Sequence, residues 1–394
     1  MEKERFKQVL TNNLILFFVV IVFFVFPKKI FLLLKSKKAF CKLLKSKNRY
    51  ELYIMHTSGG GTETYLKNIL RDKKHYIILR NYKIFDAQEI YKLEIAGLNS
   101  VVFISKSDIQ KLNCIISLLS VENLCGYKNL PFLLNTFNSF TAKTVFKIHD
   151  YFSLCPSVTL TKGCHYCGAS CSGACDFVVT GKKFTVKEWR EVWESFFENV
   201  DEFLFFSESS VKIFTSVYPV DSGKIIVKPH DMSYFTAERI TSMPEKMNIG
   251  VFGSVITEAK GHSVLKDFVE FVKDKDCKIC INGNANNTDY SDNKNCICYG
   301  SYKSNEIYER IISQQIGVVF FPSIWPETFS YVVSEVIMTG IPTVCFDVGA
   351  QAEKIRNYKL GRIIPDMSNE SVLNTLIAAY EEGKKFYKKV YKCE

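Results

Sequence analysis

Residues 317–346 read GVVFFPSIWPETFSYVVSEVIMTGIPTVCF, and this stretch decides the fold of the second half of the chain. The apolar run Gly317–Phe321 predicts a buried strand. After a polar loop, apolar residues recur at helical spacing and predict an amphipathic helix; they are Phe329, Val332, Val333, Val336 and Ile337. Gly340-Ile341-Pro342 ends that helix, and Thr343–Phe346 predicts the next strand. This order of elements indicates a parallel α/β unit.

The same alternation runs along the chain in two series. The predicted strands are Tyr50–Met55, Tyr76–Leu79, Val101–Ile104, Thr144–Ile148 and Glu202–Phe206, then Met247–Phe252, Lys278–Asn282, Cys296–Tyr299, Gly317–Phe321 and Thr343–Phe346. We expect an α/β fold of two Rossmann-like domains facing a central cleft, because helical patterns separate these strands. The expected limits are 1–49 for a membrane-associating segment, 50–240 for an acceptor-side domain with a cysteine-rich loop at 155–175, 241–380 for a nucleotide-sugar-binding domain, and 381–394 for a helical tail.

The excess positive charge lies at the amino terminus. The chain has a net charge of +10, and residues 1–50 hold twelve Lys/Arg against two Asp/Glu. Subtracting these from the 51 basic and 41 acidic residues of the chain leaves 39 of each, so the remainder is neutral. A nucleic-acid-binding protein would carry a basic face on its folded domains. Nucleic acid is therefore excluded as a partner.

A hydrophobic run precedes most of these amino-terminal charges. Leu14–Phe26 is unbroken and apolar but shorter than the roughly 20 residues of a spanning helix. Lysines follow it where a cleavable signal would have small residues, and they favour the cytoplasmic side and anionic headgroups. We expect attachment to the cytoplasmic face of the inner membrane. Whether residues 10–34 span the bilayer, lie on its surface or form a buried helix stays open.

A glycine loop follows the first predicted strand. His56–Gly61 joins Tyr50–Met55 to a predicted helix, Thr62–Leu70, for which Thr62 is a plausible N-cap. The free N–H groups at a helix start and the small glycines suit an anionic or sugar ligand. A purely structural turn has the same pattern.

Two glutamates flank the start of the helix in the opening stretch. Glu327 stands just before the predicted start, where backbone N–H groups suit a diphosphate, and its carboxylate could bind sugar hydroxyls. Glu335 lies two turns on, about 12 Å along the axis, and could reach a ribose. The alternative is a surface helix with two solvated glutamates.

The spacing of Glu327 and Glu335 resembles the E-x7-E motif of glycosyltransferase family 4, which has the GT-B fold. In that family the first glutamate faces the donor sugar, the second contacts the ribose, and helix-start amides bind the diphosphate. The resemblance implies these roles for Glu327, for Glu335 and for the amides of Thr328, Phe329, Ser330 and Tyr331. The family often has glycine where this chain has Ser330.

Other segments resemble the same family over roughly Tyr50–Pro365. Gly253–Gly261 is similar to a GR…E-K-G segment, in which Lys260 would neutralise the diphosphate and Ser254 replaces the usual arginine. The resemblance implies donor contacts for Gly59, Gly60, Gly61, Gly253 and Lys260. It also places His149, at a strand end, where the family has a histidine facing the reacting sugar, so His149 and Glu327 are the expected catalytic residues.

The family resemblance implies a retaining bacterial glycosyltransferase that needs no metal or other cofactor for catalysis. Its partners would be a nucleotide-sugar donor, a lipid-linked or saccharide acceptor and the membrane surface, in cell-surface polysaccharide or lipopolysaccharide synthesis. Two alternatives are a GT-B-fold sugar-nucleotide epimerase and a non-catalytic membrane-bound scaffold. The one predicted metal site is structural. It is a cluster of four cysteines whose thiolates could bind a zinc ion: Cys164, Cys167, Cys171 and Cys175. Unliganded cysteines, disulfides or an iron–sulfur cluster fit the same spacing.

Overall fold

The computed structural model describes most of the chain beyond the amino-terminal segment. The described residues are 27–57, 59–85, 88–98, 100–163, 165–169, 175–291 and 293–391. The predicted apolar run Leu14–Phe26 lies outside them. Helix α1 (Pro27–Leu44) carries much of the basic run. Among the helices of the described ranges, none is both long enough and apolar enough to cross a membrane.

The chain divides into two compact units, one up to Val145 and one from Phe146 onward. The first unit holds β1 (Tyr50–Met55), α2 (Gly61–Leu70), β2 (Tyr76–Phe85), β3 (Gln88–Ile95), β4 (Val102–Ile104), β5 (Ile116–Val121) and α3 (Leu130–Asn138). Its strands lie in the order β5-β1-β2-β3-β4. Strand β1 is parallel to β5 and β2, whereas β3 is antiparallel to both of its neighbours.

Strand β3 was not predicted. Tyr91 and Leu93 are fully buried, while Lys92 and Glu94 alternate with them and pair at 2.6 Å. This period of two is typical of a strand with one exposed face. The charged residues interrupt the continuous apolar run by which the predicted strands were identified. A search for such runs finds strands buried on both faces and misses this antiparallel one. The parallel strand β5 was not predicted either.

Strand β6 (Lys143–Lys147) contains the boundary between the units. The second unit continues with short strands and with a helix rich in aromatic residues. These are β7 (Thr161–Lys162), β8 (His165–Tyr166), β9 (Asp176–Val179), β10 (Lys182–Thr185), α4 (Val186–Glu198), β11 (Glu202–Phe205), α5 (Glu208–Thr215) and β12 (Ile225–Val227). Helix α4 starts with a capping box of Thr185 and Glu188. It buries Trp189 and Trp193 against Phe152.

A six-stranded parallel sheet forms the rest of the second unit. Its elements are β13 (Asn248–Phe252), α6 (His262–Phe271), β14 (Ile279–Asn282), β15 (Cys296–Gly300), α7 (Ile307–Ser313), β16 (Ile316–Phe321), α8 (Tyr331–Met338), β17 (Thr343–Phe346), α9 (Gly349–Arg356), β18 (Gly361–Ile364) and α10 (Asn369–Tyr391). The strand order is β15-β14-β13-β16-β17-β18. All adjacent pairs are parallel. The prediction of a parallel sheet is therefore confirmed here.

Helices cover both faces of this sheet. Every residue of β16 is buried. Val318 and Phe320 pack in a core with residues of α6 and α10, such as Phe268. Val319 and Phe321 pack in a second core with residues of α7, α8 and α9. Alternate residues of one strand thus enter opposite cores, which explains why the strand reads as an uninterrupted apolar run.

The predicted domain limits at residues 240 and 380 stay predictions. Helix α10 runs without a break from Asn369 to Tyr391, so the described part of the predicted tail is the end of this helix.

Candidate functional site

The loop between β16 and α8, residues 322–330, forms hydrogen bonds with two distant segments of the chain, and we call it the tied loop. Ile324 and Trp325 each donate a backbone hydrogen bond to the carbonyl of Ala259, at 3.0 and 3.3 Å. On the other side, the side chain of Gln351 accepts from the amide of Glu327 at 3.1 Å and donates to the carbonyl of Trp325 at 2.8 Å. These bonds set the path of the loop through contacts with distant segments.

Two glycines allow those segments to approach the loop. Gly261 has φ +82, and a Cβ there would lie 2.1 Å from the carbonyl oxygen of Pro322. Gly349 has φ +66, and a Cβ would lie 2.4 Å from the Cα of Pro326. Glycine is required at both places because any side chain would strain the backbone and collide with it. Gly261 directly follows Lys260, so the close approach brings that lysine to the loop.

Lys260 and Glu327 form an ion pair in the loop. The Nζ of Lys260 lies 2.7 Å from Oε1 of Glu327, and the two side chains are 35% and 14% exposed. Burial acts to raise the pKa of Glu327, but the charge and hydrogen bond of Lys260, the Ser330 hydroxyl and Lys354 outweigh it. The pKa of Glu327 is therefore held below its usual range, and the carboxylate is ionised at neutral pH.

Lys354 on α9 is a site residue that the sequence analysis missed. Its Nζ donates to the carbonyl of Ser330 at 3.2 Å and to the hydroxyl of Ser334. The same atom lies 3.3 Å from the ring centroid of Phe329. Burial lowers the pKa of Lys354 to about 7, although Glu327 and Glu353 act to raise it. No sequence signal marked it; in the structure it directly follows Gly349–Glu353, the segment whose Gln351 binds the loop.

Helix α8 begins later than predicted. Its first residue is Tyr331, so Thr328, Phe329 and Ser330 lie in the loop and their amides are not at a helix start. Ser330 is the N-cap and has φ +60, in the left-handed region that favours glycine. The apolar stripe misled the prediction because Phe329 is buried like the helical residues that follow it. The free N–H groups of this helix are those from Tyr331 onward.

His149 lies beside the loop. The hydroxyl of Thr328 donates to the carbonyl of His149 at 3.0 Å. The ring of His149 lies 4.7 Å from Phe206 and 6.0 Å from His230. His230 stacks on Phe329 at 4.3 Å. His230 was not predicted, because the short strand that precedes it, β12, was not predicted either.

Glu335 is buried, which contradicts the alternative of a solvated glutamate on a surface helix, whereas its predicted ribose contact stays a prediction. It is 3% exposed. Its Oε1 accepts hydrogen bonds from the hydroxyls of Ser304, at 2.7 Å, and Tyr234, at 3.0 Å. Burial raises the pKa of Glu335, and the two hydroxyls counter this only in part. The sequence did not reveal this burial, because the covering residues come from distant segments that helical spacing does not show.

Gly253 ends strand β13 in the same sheet. It has φ +101, and its amide donates to the carbonyl of Asn282 at 2.8 Å. Gly283 approaches it so closely that a Cβ on Gly283 would lie 1.9 Å from the Gly253 carbonyl. The position is therefore tightly constrained, and its predicted donor contact stays a prediction.

The glycine loop of the first unit has an open surrounding. Gly59 and Gly60 have φ +73 and +84, and no atom of the described chain lies within 4 Å of a Cβ built on either. Helix α2 begins at Gly61, so Gly60, not the predicted Thr62, is the N-cap. The strand–loop–helix order is confirmed, whereas the donor contacts of Gly59, Gly60 and Gly61 stay predictions.

The predicted zinc site falls partly beyond what the structure describes. Cys164 and Cys171 lie outside the described residues. Cys167 is exposed, and Cys175 is half-buried with its Sγ 3.7 Å from the Nζ of Lys162. In the described part of the chain, no group of three or more His, Cys, Asp or Glu side chains is placed to hold a metal ion. The zinc site stays a prediction.

Residues 235–392 match the family model described as Glycosyl transferases group 1. This range contains the sheet from β13 to β18, the tied loop, Lys260 and Lys354. A search of curated protein sequences finds no match.

Three solved structures are similar to this chain over most of its length. They are HepE of Anabaena in complex with UDP and glucose (12% identity, TM-score 0.53), the lipopolysaccharide outer core galactosyltransferase WaaB in its apo form (12%, 0.54) and sucrose-phosphate synthase of Thermosynechococcus elongatus (11%, 0.53). Each alignment covers 87% of this chain and 95% of the other. At such identities the likeness shows the fold alone. The protein has an α/β GT-B-like glycosyltransferase fold, and its residues 235–392 match the Glycosyl transferases group 1 model.

Proposed function

We propose that this protein is a retaining glycosyltransferase of family 4. It transfers a sugar from a nucleotide-sugar donor to a lipid-linked saccharide acceptor in bacterial cell-surface polysaccharide or lipopolysaccharide synthesis. The observation that carries the proposal is the ion pair of Lys260 and Glu327 within the group 1 domain. The HepE structure contains UDP and glucose, which makes UDP-sugars the first donors to test.

In the proposed complex the donor diphosphate lies against Lys260 and the start of α8. A phosphate oxygen replaces Glu327 as the partner of the Lys260 ammonium, which frees the carboxylate to accept hydrogen bonds from sugar hydroxyls. The amides from Tyr331 onward add the partial positive charge of a helix start. Such fixed positive groups stabilise the charge that develops on the leaving diphosphate, and the proposal therefore requires no divalent cation.

Glu335 serves the ribose in this proposal. Its carboxylate already binds two hydroxyl groups, those of Ser304 and Tyr234. Ribose hydroxyls are donors of the same kind. A buried carboxylate favours a ligand that donates hydrogen bonds to it over one that cannot, because a buried charge without a partner is costly.

The proposal also assigns roles to His149, to the amino-terminal segment and to the cysteine loop. His149 faces the reacting sugar, since its backbone is joined to the loop through Thr328. Basic residues of α1 and the preceding apolar run hold the protein at the cytoplasmic face of the inner membrane. The cysteine loop binds a structural zinc that orders it.

The proposal is tested by transfer of label from a donor to lipid. Full-length protein is incubated with radiolabelled UDP-, GDP-, dTDP- and ADP-sugars and a bacterial lipid extract, with and without EDTA. We expect label in the lipid phase from one donor, unaffected by EDTA, and the donor's anomeric configuration in the product.

Glu327→Ala should reduce this transfer at least a hundredfold. The matched control is Glu270→Ala, because Glu270 also pairs with a lysine, Lys273, but on the exposed surface. Absence of transfer from all four donors by folded protein would overturn the proposal, and so would full activity of Glu327→Ala.

A further inference from the structure

Lys354 lies outside every motif of the sequence, yet its contacts converge on one turn. We propose that Lys354 is a positioning residue of the proposed donor site, whose ammonium holds the left-handed turn at Ser330 and so directs the first amides of α8. The inference rests on the proposed function for the identity of the ligand. The holding of the turn can be tested without any ligand.

The ammonium joins the two ends of the first turn of α8. It binds the carbonyl of Ser330, the N-cap, and the hydroxyl of Ser334 one turn later. It also lies over the ring of Phe329, the residue before the cap, at 3.3 Å. Charge-assisted hydrogen bonds and a cation–π contact thus act together on a turn whose backbone is unfavourable for serine.

Helix stability alone does not account for a cation at this place. The start of a helix carries a partial positive charge, so a buried ammonium beside it is repelled. An anion bound at the same end would offset that repulsion. The arrangement therefore fits a site for an anionic ligand, which the diphosphate of a nucleotide-sugar provides.

The two carboxylates near Lys354, those of Glu327 and Glu353, form their hydrogen bonds with other groups. Glu327, on the loop, pairs with Lys260 at 2.7 Å. Glu353, on the same helix as Lys354, accepts a hydrogen bond from the amide of Ser209 at 2.9 Å. His230 stacks on the ring of Phe329, over which Lys354 also lies. With burial dominant, the pKa of Lys354 falls to about 7.

A diphosphate at the start of α8 favours the protonated lysine. Binding of a nucleotide-sugar near pH 7.5 should therefore be accompanied by proton uptake at Lys354. Affinity should fall on the order of tenfold between pH 6.5 and pH 8.5, as the free lysine loses its proton. A nucleotide-sugar is a suitable probe because each of its two phosphates has one ester and one anhydride linkage and does not titrate in this range.

The first test is hydrogen exchange of the ligand-free protein over residues 327–338 at pH 6, below the pKa of Lys354, where the ammonium is present. Lys354→Met keeps the length of the side chain and removes the charge. We expect exchange there to become about tenfold faster in Lys354→Met and to be restored in Lys354→Arg. Lys359→Met is the control, because Lys359 also lies over a ring, that of Phe386 at 4.4 Å, but is exposed. Unchanged exchange in Lys354→Met would overturn the proposal whether or not a donor binds.

The second test is calorimetric titration with UDP-glucose at three pH values in two buffers of different ionisation enthalpy. We expect wild type to take up a proton, Lys354→Met to bind at least tenfold more weakly without uptake, and Lys359→Met to match wild type. Uptake that persists in Lys354→Met would assign the proton to another group, such as His230, and overturn the donor role of Lys354. Absence of binding by wild type to UDP-, GDP-, dTDP- and ADP-glucose would overturn the proposed function instead.

Discussion

Helices α2 and α8 each start after a residue of positive φ, and they differ in what holds that residue in place. Helix α2 of the first unit follows Gly60, with φ +84, and α8 of the second unit follows Ser330, with φ +60. A Cβ built on Gly60 would have no atom of the described chain within 4 Å. At Ser330 the backbone carbonyl is bound by a buried lysine, and the adjoining loop is tied to the chain at both ends.

The difference shows two ways to specify a residue of positive φ before a helix. Glycine adopts a positive φ without steric cost, so the first turn is specified locally. Serine at a positive φ is unfavourable and persists where the surrounding structure determines it. The second turn is therefore specified by residues distant in sequence, and such positions are enriched at ligand-binding sites.

The largest expected effect is a loss of stability when a glycine that contacts the tied loop is replaced, compared with replacement of Gly60. Gly349→Ala places a Cβ 2.4 Å from Pro326 at φ +66 and should lower the free energy of unfolding by about 3 kcal/mol or more. Gly60→Ala meets no other atom but keeps an unfavourable backbone conformation, φ +84 and ψ −160, and should cost about 2 kcal/mol. Urea denaturation followed by circular dichroism measures both. Equal losses would mean that the tied loop is no more tightly packed than the open one.

The pH dependence of stability sharpens the role of Lys354. The pKa of this lysine is about 7 in the folded protein and about 10.5 when unfolded. Between these values the unfolded chain binds more protons, so the folded state gains stability as pH rises. Relative to Lys354→Met, wild type should gain about 2 kcal/mol between pH 7 and pH 9. A difference in unfolding free energy that stays constant over this range would contradict a buried, titrating lysine.

The ion pair of the tied loop should contribute less. Because the pKa of Glu327 is depressed, its stabilising contribution is present above its unfolded pKa and is lost as pH falls through the folded value. Lys260→Met should lower the unfolding free energy by about 1 kcal/mol at pH 7, since solvent partly screens the pair, and by less at pH 4. Lys273→Met, in an exposed pair, should have almost no effect at either pH. A larger cost at pH 4 than at pH 7 would contradict this account.

The smallest effect concerns the turn residue itself. Ser330→Gly and Ser330→Ala both remove the hydroxyl near Glu327, but only alanine keeps a Cβ at φ +60. The glycine variant should be more stable than the alanine variant by roughly 1 kcal/mol. If alanine were the more stable of the two in thermal denaturation, Ser330 would not be strained as the structure describes.

The sequence predicted the central strands and helices of the second unit because their signals are local. Strand Ile316–Phe321 is buried on both faces and reads as an apolar run, and Thr343–Phe346 was predicted to the residue. The approach of Lys260 to Glu327 was implied only by resemblance, and the structure brings the two together. Local patterns thus recovered the sheet that positions the site.

What the sequence did not reveal depends on contacts between distant segments. Lys354 lies 24 residues after the carbonyl it binds, and Ser304 lies 31 residues before Glu335. Helical spacing placed Glu335 on an outward face, because it carries no information on the segments that cover that face. The start of α8 was misplaced for a similar reason, since a buried loop residue, Phe329, continued the apolar stripe.

The central claim is that the tied loop of the second unit binds the donor diphosphate through Lys260. Calorimetric titration of UDP-, GDP-, dTDP- and ADP-glucose into wild type, Lys260→Ala and Lys273→Ala tests it most directly. The account predicts that one donor binds wild type and Lys273→Ala equally and binds Lys260→Ala at least tenfold more weakly, a loss of about 1.4 kcal/mol or more. Equal affinity of Lys260→Ala and wild type for that donor, or no binding of any donor to wild type, would contradict it.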